Sequence, residues 1–321
     1  MKILVDLPMD EAEKQALAAL VPQAELTYVP AKEATPDQIA GAEILLGNYP
    51  IPLLAEAKQL KWIQLSMAGS DSYAAPGVLP EGVILTNASG AYGLAISEHM
   101  LAGVLKLIKK LGAYQRNQDE HLWHSEGGVT SIYGSTTLVV GLGDLGGSFA
   151  RRMHALDSTV IGIRRTAGKK PDYVSALYQM DALDQLLPMA DFVALTLPNS
   201  KLTQKVMGAK QFAAMKDTAI LINVGRGTSV DTDALVTALS EGQIGGAVLD
   251  VTDPEPLPAD HPLWDAPNLV LTPHVSGGSS LRETGHRIAA IAMRNLAAYL
   301  NGQPMENVVD FKTGYRRSGD A

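Results

Sequence analysis

The sequence predicts an α/β protein made of two doubly wound parallel sheets. Short apolar runs of strand type alternate with amphipathic helical stretches along nearly the whole chain, which is the pattern of parallel strands with crossover helices. One long helical pattern, roughly residues 92–120, interrupts the alternation and divides it into two series. The second series opens on residues 138–146, LVVGLGDLG, where a strand-type run feeds a glycine turn and then helical spacing.

In the first series, to about Asn87, KILVDL precedes DEAEKQALAAL, ELTYV precedes PDQIAGA, and EILLG precedes PLLAEAKQL, followed by KWIQLS and GVILTN. The long pattern after it carries Leu94, Leu101, Val104, Leu105, Ile108 and Leu111 as an apolar stripe, which suits a connecting or interface helix. The loop SEGGVTSIYGS leads to the second series: TVIGIRR, DALDQLLPMA, DFVALTLP, AAMKDTAILINVGRG, DTDALVTALSEGQ, GGAVLDV and NLVLTPH. After Gly278, SSLRETGHRIAAIAMRNLAAYLNGQ reads as a helix with no comparable strand behind it. Its natural place is against the first domain, so the chain crosses between domains near Ala95 and near Thr284. The expected domains are 1–95 plus 285–321 and 96–284, with a hinge at the two crossings.

Composition narrows the classes. At 321 residues, with 46% hydrophobic and 19% charged, the chain suits two packed domains and not disorder. A formal net charge of −8 without a dense lysine or arginine cluster disfavours nucleic-acid and membrane-surface roles. The absence of cysteine excludes disulfides, thiolate catalysis and thiolate metal sites. MKILVDLP lacks an apolar signal region and no stretch is long enough to span a bilayer, so the expected compartment is the cytoplasm.

The glycine turn carries the first chemistry. Gly141 permits a tight turn, Gly143 lets backbone approach a pyrophosphate, and Gly146 lets the helix pack close to the strand. Phosphate would rest on the N–H groups opening the helix at Asp144 and Leu145, aided by the helix dipole. Glycine-rich turns are common in a chain with 30 glycines, and it is the strand and helix on either side that point to a Rossmann-like dinucleotide site.

Three further residues follow predicted strands, where open parallel sheets place their ligands. Arg226 stands between glycines in LINVGRG, where its forked guanidinium can hold a carboxylate and polarise the neighbouring carbonyl. Glu255 lies in LDVTDPEPLP, a loop stiffened by three prolines. His274 ends NLVLTPH, with a turn of Val275, Ser276, Gly277 and Gly278 behind it whose backbone is available to a ligand. Singly, these residues read as a solvated arginine, a loop acid and a structural histidine. Together, beside a dinucleotide site, they match reduction of a 2-keto acid: His274 protonates the oxygen as hydride reaches carbon, and Glu255 favours the charged imidazole.

Here the chain resembles the D-isomer-specific 2-hydroxyacid dehydrogenase family. GLGDLG, LINVGRG, VDTDALVTAL, GAVLDV with EPLP after it, HPLW, TPHVSGG, SMAGSD and SEHMLA match in order and spacing over nearly the whole chain. The resemblance implies a flavodoxin-like substrate domain with a dinucleotide-binding domain inserted into it, an active site in the cleft between them, and a homodimer. It implies the roles given to Arg226, Glu255 and His274. It also implies that Ala68 and Gly69 bind the substrate carboxylate through their backbone, that Leu197, Pro198, Val224, Gly225 and Gly277 line the cofactor, and that Asp250 meets the nicotinamide amide. Asp250 also reads as a strand-end acid fixing a turn, and Ala68 and Gly69 as a plain tight turn.

One departure bears on the cofactor. Where NAD-selective relatives carry an acid for the ribose hydroxyl, this chain reads Arg164-Arg165-Thr166, which suits a 2′-phosphate. The expectation is NADP, with NAD as the alternative. Thr252, where many relatives place an aromatic, has no clear consequence. No metal is expected: His99, beside Glu98, has no second histidine at ligand spacing and reads as a packed or hinge residue, and His121 and His124 lack a third ligand. Trp123 reads either as an interface or cleft residue or as a surface anchor. A dinucleotide-sensing, corepressor-like protein on the same scaffold, and a dehydrogenase of another small acid such as phosphite or formate, are the rival readings.

Overall fold

The strand runs of the first series pair side by side in a single parallel sheet. The computed structural model describes residues 1–166, 168–278, 281–311 and 315–316. It divides into two units, Met1–Tyr92 with Ser279–Ala321 and Gly93–Gly278. In the first unit, β1 (Lys2–Val5), β2 (Glu25–Tyr28), β3 (Ile44–Leu46), β4 (Trp62–Gln64) and β5 (Ile84–Thr86) lie in the order β2-β1-β3-β4-β5. This is the flavodoxin-like order. Alternate side chains serve its two faces: Leu4, Leu45, Ile63 and Leu85 on one, Ile3, Val5, Ile44, Leu46 and Trp62 on the other. Both faces of β3 and β4 are buried throughout, which is why they read as largely apolar runs, whereas the edge strand β2 is only partly buried.

Local signals start the helices. Asp10 and Glu13 form a capping box on α1 (Glu11–Leu20), and Thr35 and Gln38 form another on α2 (Pro36–Gly41), with proline in its first turn. The helix expected over PLLAEAKQL is a single turn, α3 (Ile51–Leu54).

In the second unit the elements are α4 (Gly93–Ile108), α5 (Leu111–Asp119), β6 (Thr136–Val140), α6 (Asp144–Ala155), β7 (Thr159–Ile163), β8 (Ala176–Tyr178), α7 (Leu183–Leu186) and β9 (Phe192–Leu195). Then come α8 (Ala209–Ala214), β10 (Ile220–Asn223), α9 (Thr232–Ser240), β11 (Gly246–Leu249) and β12 (Leu269–Leu271). The parallel sheet runs β12-β11-β10-β9-β6-β7-β8. Strand order reverses between β6 and β9, which makes the carboxyl ends of these two strands the switch point where such sheets bind ligand. Strand β8 escaped the sequence reading because it is a short edge strand, only partly buried.

The single helix expected over residues 92–120 is two helices. Lys110 takes a left-handed conformation (φ 54°) between α4 and α5. The Lys109 ammonium donates to the Thr130 carbonyl and that of Lys110 to the Glu126 carbonyl, so the following loop holds the break through contacts absent from local periodicity. Helix α4 buries Ile96, Met100 and Val104 and lies so close to the sheet that a Cβ on Gly103 would come 2.4 Å from Val248 Cγ1.

The last helix, α10 (Arg282–Leu300), belongs to the first unit. Leu296 joins the core beside Trp62, and the Trp62 and Tyr299 rings stack 5.5 Å apart. Asn295 Nδ2 donates to Gln64 Oε1 at 2.8 Å within a buried polar network that includes Thr86 and the Trp62 indole N–H. Among the described residues, no helix is long and apolar enough to cross a membrane. Replacing Gly103 by valine should push α4 off β11 and destabilise the second unit by about 1–3 kcal/mol, read as a lower thermal midpoint. An unchanged midpoint would show that the close approach is relieved without cost.

Candidate active site

The glycine turn sits at the switch point, at the carboxyl end of β6. Its glycines answer to different constraints. Gly141 has φ 102°, and a Cβ there would lie 3.0 Å from the Thr196 carbonyl oxygen. A Cβ on Gly146 would come 2.3 Å from Gly141 O and 2.7 Å from Thr196 Oγ1, so α6 can approach the strand ends only without a side chain there. Gly143 meets nothing within 4 Å. It is the exposed N-cap of α6, with no side-chain cap, and it leaves backbone N–H groups facing an open side. That combination fits a pyrophosphate, because backbone donors and the positive helix end face a space no side chain fills. Asp144 and Leu145 are half-buried in the first turn of α6. The Asp144 carboxylate turns to accept the Gly93 N–H at 3.1 Å, so its side chain holds the start of α4.

Arg226 follows β10. A Cβ on Gly225 would lie 2.5 Å from Leu197 O, and one on Gly227 would lie 1.8 Å from Thr252 O. The two glycines therefore let the arginine loop pass between the ends of β9 and β11. Asn223 braces this loop, with Nδ2 donating to Arg226 O at 3.0 Å and Oδ1 accepting Gly225 N–H at 3.1 Å. Nη1 of the half-buried Arg226 side chain donates back to Gly225 O at 2.8 Å.

His274 and Glu255 meet directly: Nδ1 and Oε1 are 2.6 Å apart, with the side chains about half exposed at 49% and 42%. A carboxylate oxygen only accepts, so the donor count assigns a proton to Nδ1 and leaves Nε2 as the ring atom open to a substrate. His274 holds φ 53°, uncommon for a side-chain-bearing residue. Asp250, at the end of β11 and 1% exposed, supplies the constraint. Its Oδ1 accepts Thr272 Oγ1–H at 2.5 Å and Val275 N–H at 3.0 Å. Its Oδ2 accepts the Ser276 N–H at 3.0 Å and the Ser276 hydroxyl, while its backbone oxygen accepts His274 N–H at 2.8 Å. This geometry shows Asp250 as a strand-end acid that fixes a turn, a role that stands beside the nicotinamide contact the resemblance implies.

Residues 101–276 match the family model for the D-isomer specific 2-hydroxyacid dehydrogenase, NAD binding domain. The chain belongs to this family. Glyoxylate/hydroxypyruvate reductase B of Pectobacterium carotovorum subsp. carotovorum is 34% identical over 285 residues, 86% of each chain. A D-isomer specific 2-hydroxyacid dehydrogenase family protein of Aeromonas salmonicida subsp. salmonicida A449 superposes with a TM-score of 0.86 at 33% identity, covering 97% of this chain and 99% of that one. The NADPH-dependent glyoxylate/hydroxypyruvate reductase of Sinorhizobium meliloti, solved with NADP and sulfate, gives a TM-score of 0.80 at 28% identity over 98% and 99% of the two chains.

For a dehydrogenase of this family the remaining predicted residues fall in three places. At the end of β7, Arg164 is half-buried and its Nε donates to Leu142 O in the glycine turn at 2.8 Å, whereas Arg165 and Thr166 are exposed. Leu197 and Val224 turn their side chains into the core at 8% and 5% exposure, so toward a ligand they offer backbone; Pro198 is exposed and Gly277 partly so. In the first unit, Ala68 and Gly69 lie half-buried in a bend after β4. That bend is held through its carbonyls: Ser66 O by the Tyr92 hydroxyl, Met67 O by Ala88 N–H and Ala68 O by Asn87 Nδ2. Burial pushes the Tyr92 hydroxyl up to about 12, keeping it a donor.

Three supports of the candidate site were invisible as such in the sequence: Thr196, whose hydroxyl donates to Gly141 O; Thr272; and His99, whose Nε2 lies 3.0 Å from Thr272 Oγ1. Thr272 lies inside a quoted motif, but nothing in its spacing to Asp250 reveals the bond. The glycines can be told apart by substitution. Gly143→Ala should leave the thermal midpoint unchanged but weaken dinucleotide binding about tenfold or more by blocking the phosphate approach, measured by fluorescence titration. Gly146→Ala should lower the midpoint and binding together, and equal behaviour of the two variants would contradict this assignment.

Proposed function

We propose that the chain reduces small 2-keto acids to D-2-hydroxy acids with NADP(H) in preference to NAD(H), the reverse oxidation being open. The observation that carries the reading is the His274–Glu255 pair at 2.6 Å, on a turn that Asp250 locks beside the Arg226 loop. Adjacent parallel strands β10, β11 and β12 bring these ends to one edge of the sheet. When bound, the nicotinamide supplies the hydride. Arg226 binds the substrate carboxylate and polarises the keto oxygen with its planar fork of donors. His274 holds the proton at Nε2 and passes it to that oxygen as the carbonyl carbon becomes tetrahedral, while Glu255 keeps Nδ1–H engaged and the ring oriented. Ala68 and Gly69 are assigned to the carboxylate through their backbone N–H groups, as the family resemblance implies. Asp250 acts through the turn.

The cofactor preference rests on the end of β7. Arg165 and Thr166 are exposed there, and no acid stands where a ribose 2′-hydroxyl would need an acceptor. The Sinorhizobium meliloti relative, solved with NADP, supports the same choice. Arg164 serves both the 2′-phosphate side and the glycine turn through Leu142. A homodimer belongs to this reading and fits the exposed Leu111, Leu122, Trp123, Val129 and Tyr133 on and after α5.

A panel of glyoxylate, hydroxypyruvate and bulkier keto acids assayed with NADPH and NADH tests the activity. Turnover should appear with NADPH, and His274→Ala should cut kcat by about 10²-fold or more. Dinucleotide binding without any turnover would instead favour the sensing protein. The two arginines are tested separately. Arg165→Ala should raise the KM for NADPH about tenfold and spare NADH, since it removes a charge-assisted contact to the 2′-phosphate. Arg164→Ala should impair both cofactors by loosening the glycine turn, and a loss confined to NADPH would remove that structural role.

A further inference from the structure

His99 stands half-buried on α4, with Nε2 3.0 Å from Thr272 Oγ1, which is itself 2.5 Å from Asp250 Oδ1. The direction of this chain follows from counting hydrogens. A carboxylate only accepts and a threonine hydroxyl has a single hydrogen, so that hydrogen goes to Asp250 and Thr272 Oγ1 accepts from His99. His99 is thereby assigned the tautomer with its proton on Nε2. The far end of the chain is the turn of the general acid, because Asp250 also accepts the N–H groups of Val275 and Ser276, immediately after His274.

Helix α4 is a rigid place from which to exert this hold. Its first N–H, on Gly93, is bound by Asp144 at the start of α6, and Gly103 lies against Val248 on β11. His99 falls between these fixed points. The turn it reaches needs such support, because His274 sits at φ 53°, a conformation that persists in a side-chain-bearing residue only when its surroundings over-determine it.

We propose that His99 is a positioning residue for proton delivery: its Nε2–H orients the Thr272 hydroxyl on Asp250 and so keeps the His274 ring in register with Glu255. The kinetic part of this inference rests on the reductase reading, and the spectroscopic part does not. His99→Leu removes the donor, and His99→Gln replaces it with an amide N–H. His99→Leu should lower kcat about tenfold, with the keto-acid KM and the NADPH Kd held within about twofold, because the loss falls on the proton-transfer geometry and not on ground-state binding. His99→Gln should recover most of that rate. In enzyme labelled with ¹⁵N-histidine, His99 should show the Nε2–H tautomer. The His274 Nδ1–H resonance should shift in His99→Leu and stay in place in His99→Gln. If His99→Leu does not fold, Thr272→Val breaks the same chain at its middle and should give the same kinetic and spectral changes. An unchanged kcat in the leucine variant, an equal loss in the leucine and glutamine variants, or an Nδ1–H tautomer at His99 would each overturn the proposal. If the wild-type protein reduces no keto acid, the functional reading fails, and the tautomer together with the His274 resonance decides the role of His99.

Discussion

One buried carboxylate, that of Asp250, sets the geometry on which the strand-end turn carrying His274 depends. A charge at 1% exposure is tolerable only where donors replace the water it has lost. Asp250 finds them in Thr272, Val275 and Ser276, on the neighbouring strand end and its turn. Satisfying the acid therefore fixes the path of residues 272–276, and that path carries His274. Removing the acid would leave its donors unpaired in a buried setting, so the turn and the carboxylate are stable only together.

Close approach is the second constraint, and it explains why glycines surround the site. Gly146, Gly225 and Gly227 each face backbone oxygen at distances no Cβ can occupy, and they pull α6 and the Arg226 loop onto the ends of β9 and β11. Gly143 is the exception, with open space where its neighbours have none. In a packed edge, a glycine facing nothing marks the side from which a ligand approaches, whereas a glycine facing backbone marks a joint in the scaffold.

Both parallel sheets, the glycine turn and the strand-end positions of Arg226, Glu255 and His274 were legible in the chain, because buried parallel strands are apolar runs and these residues follow them directly. The break between α4 and α5 was not. Its sequence, KLIKKLG, keeps a helical pattern, while at the break the two lysines donate to the carbonyls of Thr130 and Glu126 in the loop beyond α5. Strand β8 was missed for the opposite reason, since a short edge strand carries little apolar signal. Arg164 was read as a phosphate ligand, and the structure shows its Nε donating to Leu142 O, a bond that spacing alone does not reveal.

The sequence by itself determined the architecture, the dinucleotide fingerprint and which side chains stand at the strand ends, because periodicity and residue type are local properties of the chain. Only the tertiary structure decided how those side chains are held. The bonds from His99 to Thr272, from Thr272 to Asp250 and from Glu255 to His274 join residues up to 173 positions apart. Such hydrogen bonds form once the sheet has brought distant strand ends within about 3 Å of one another, and no local pattern encodes that distance.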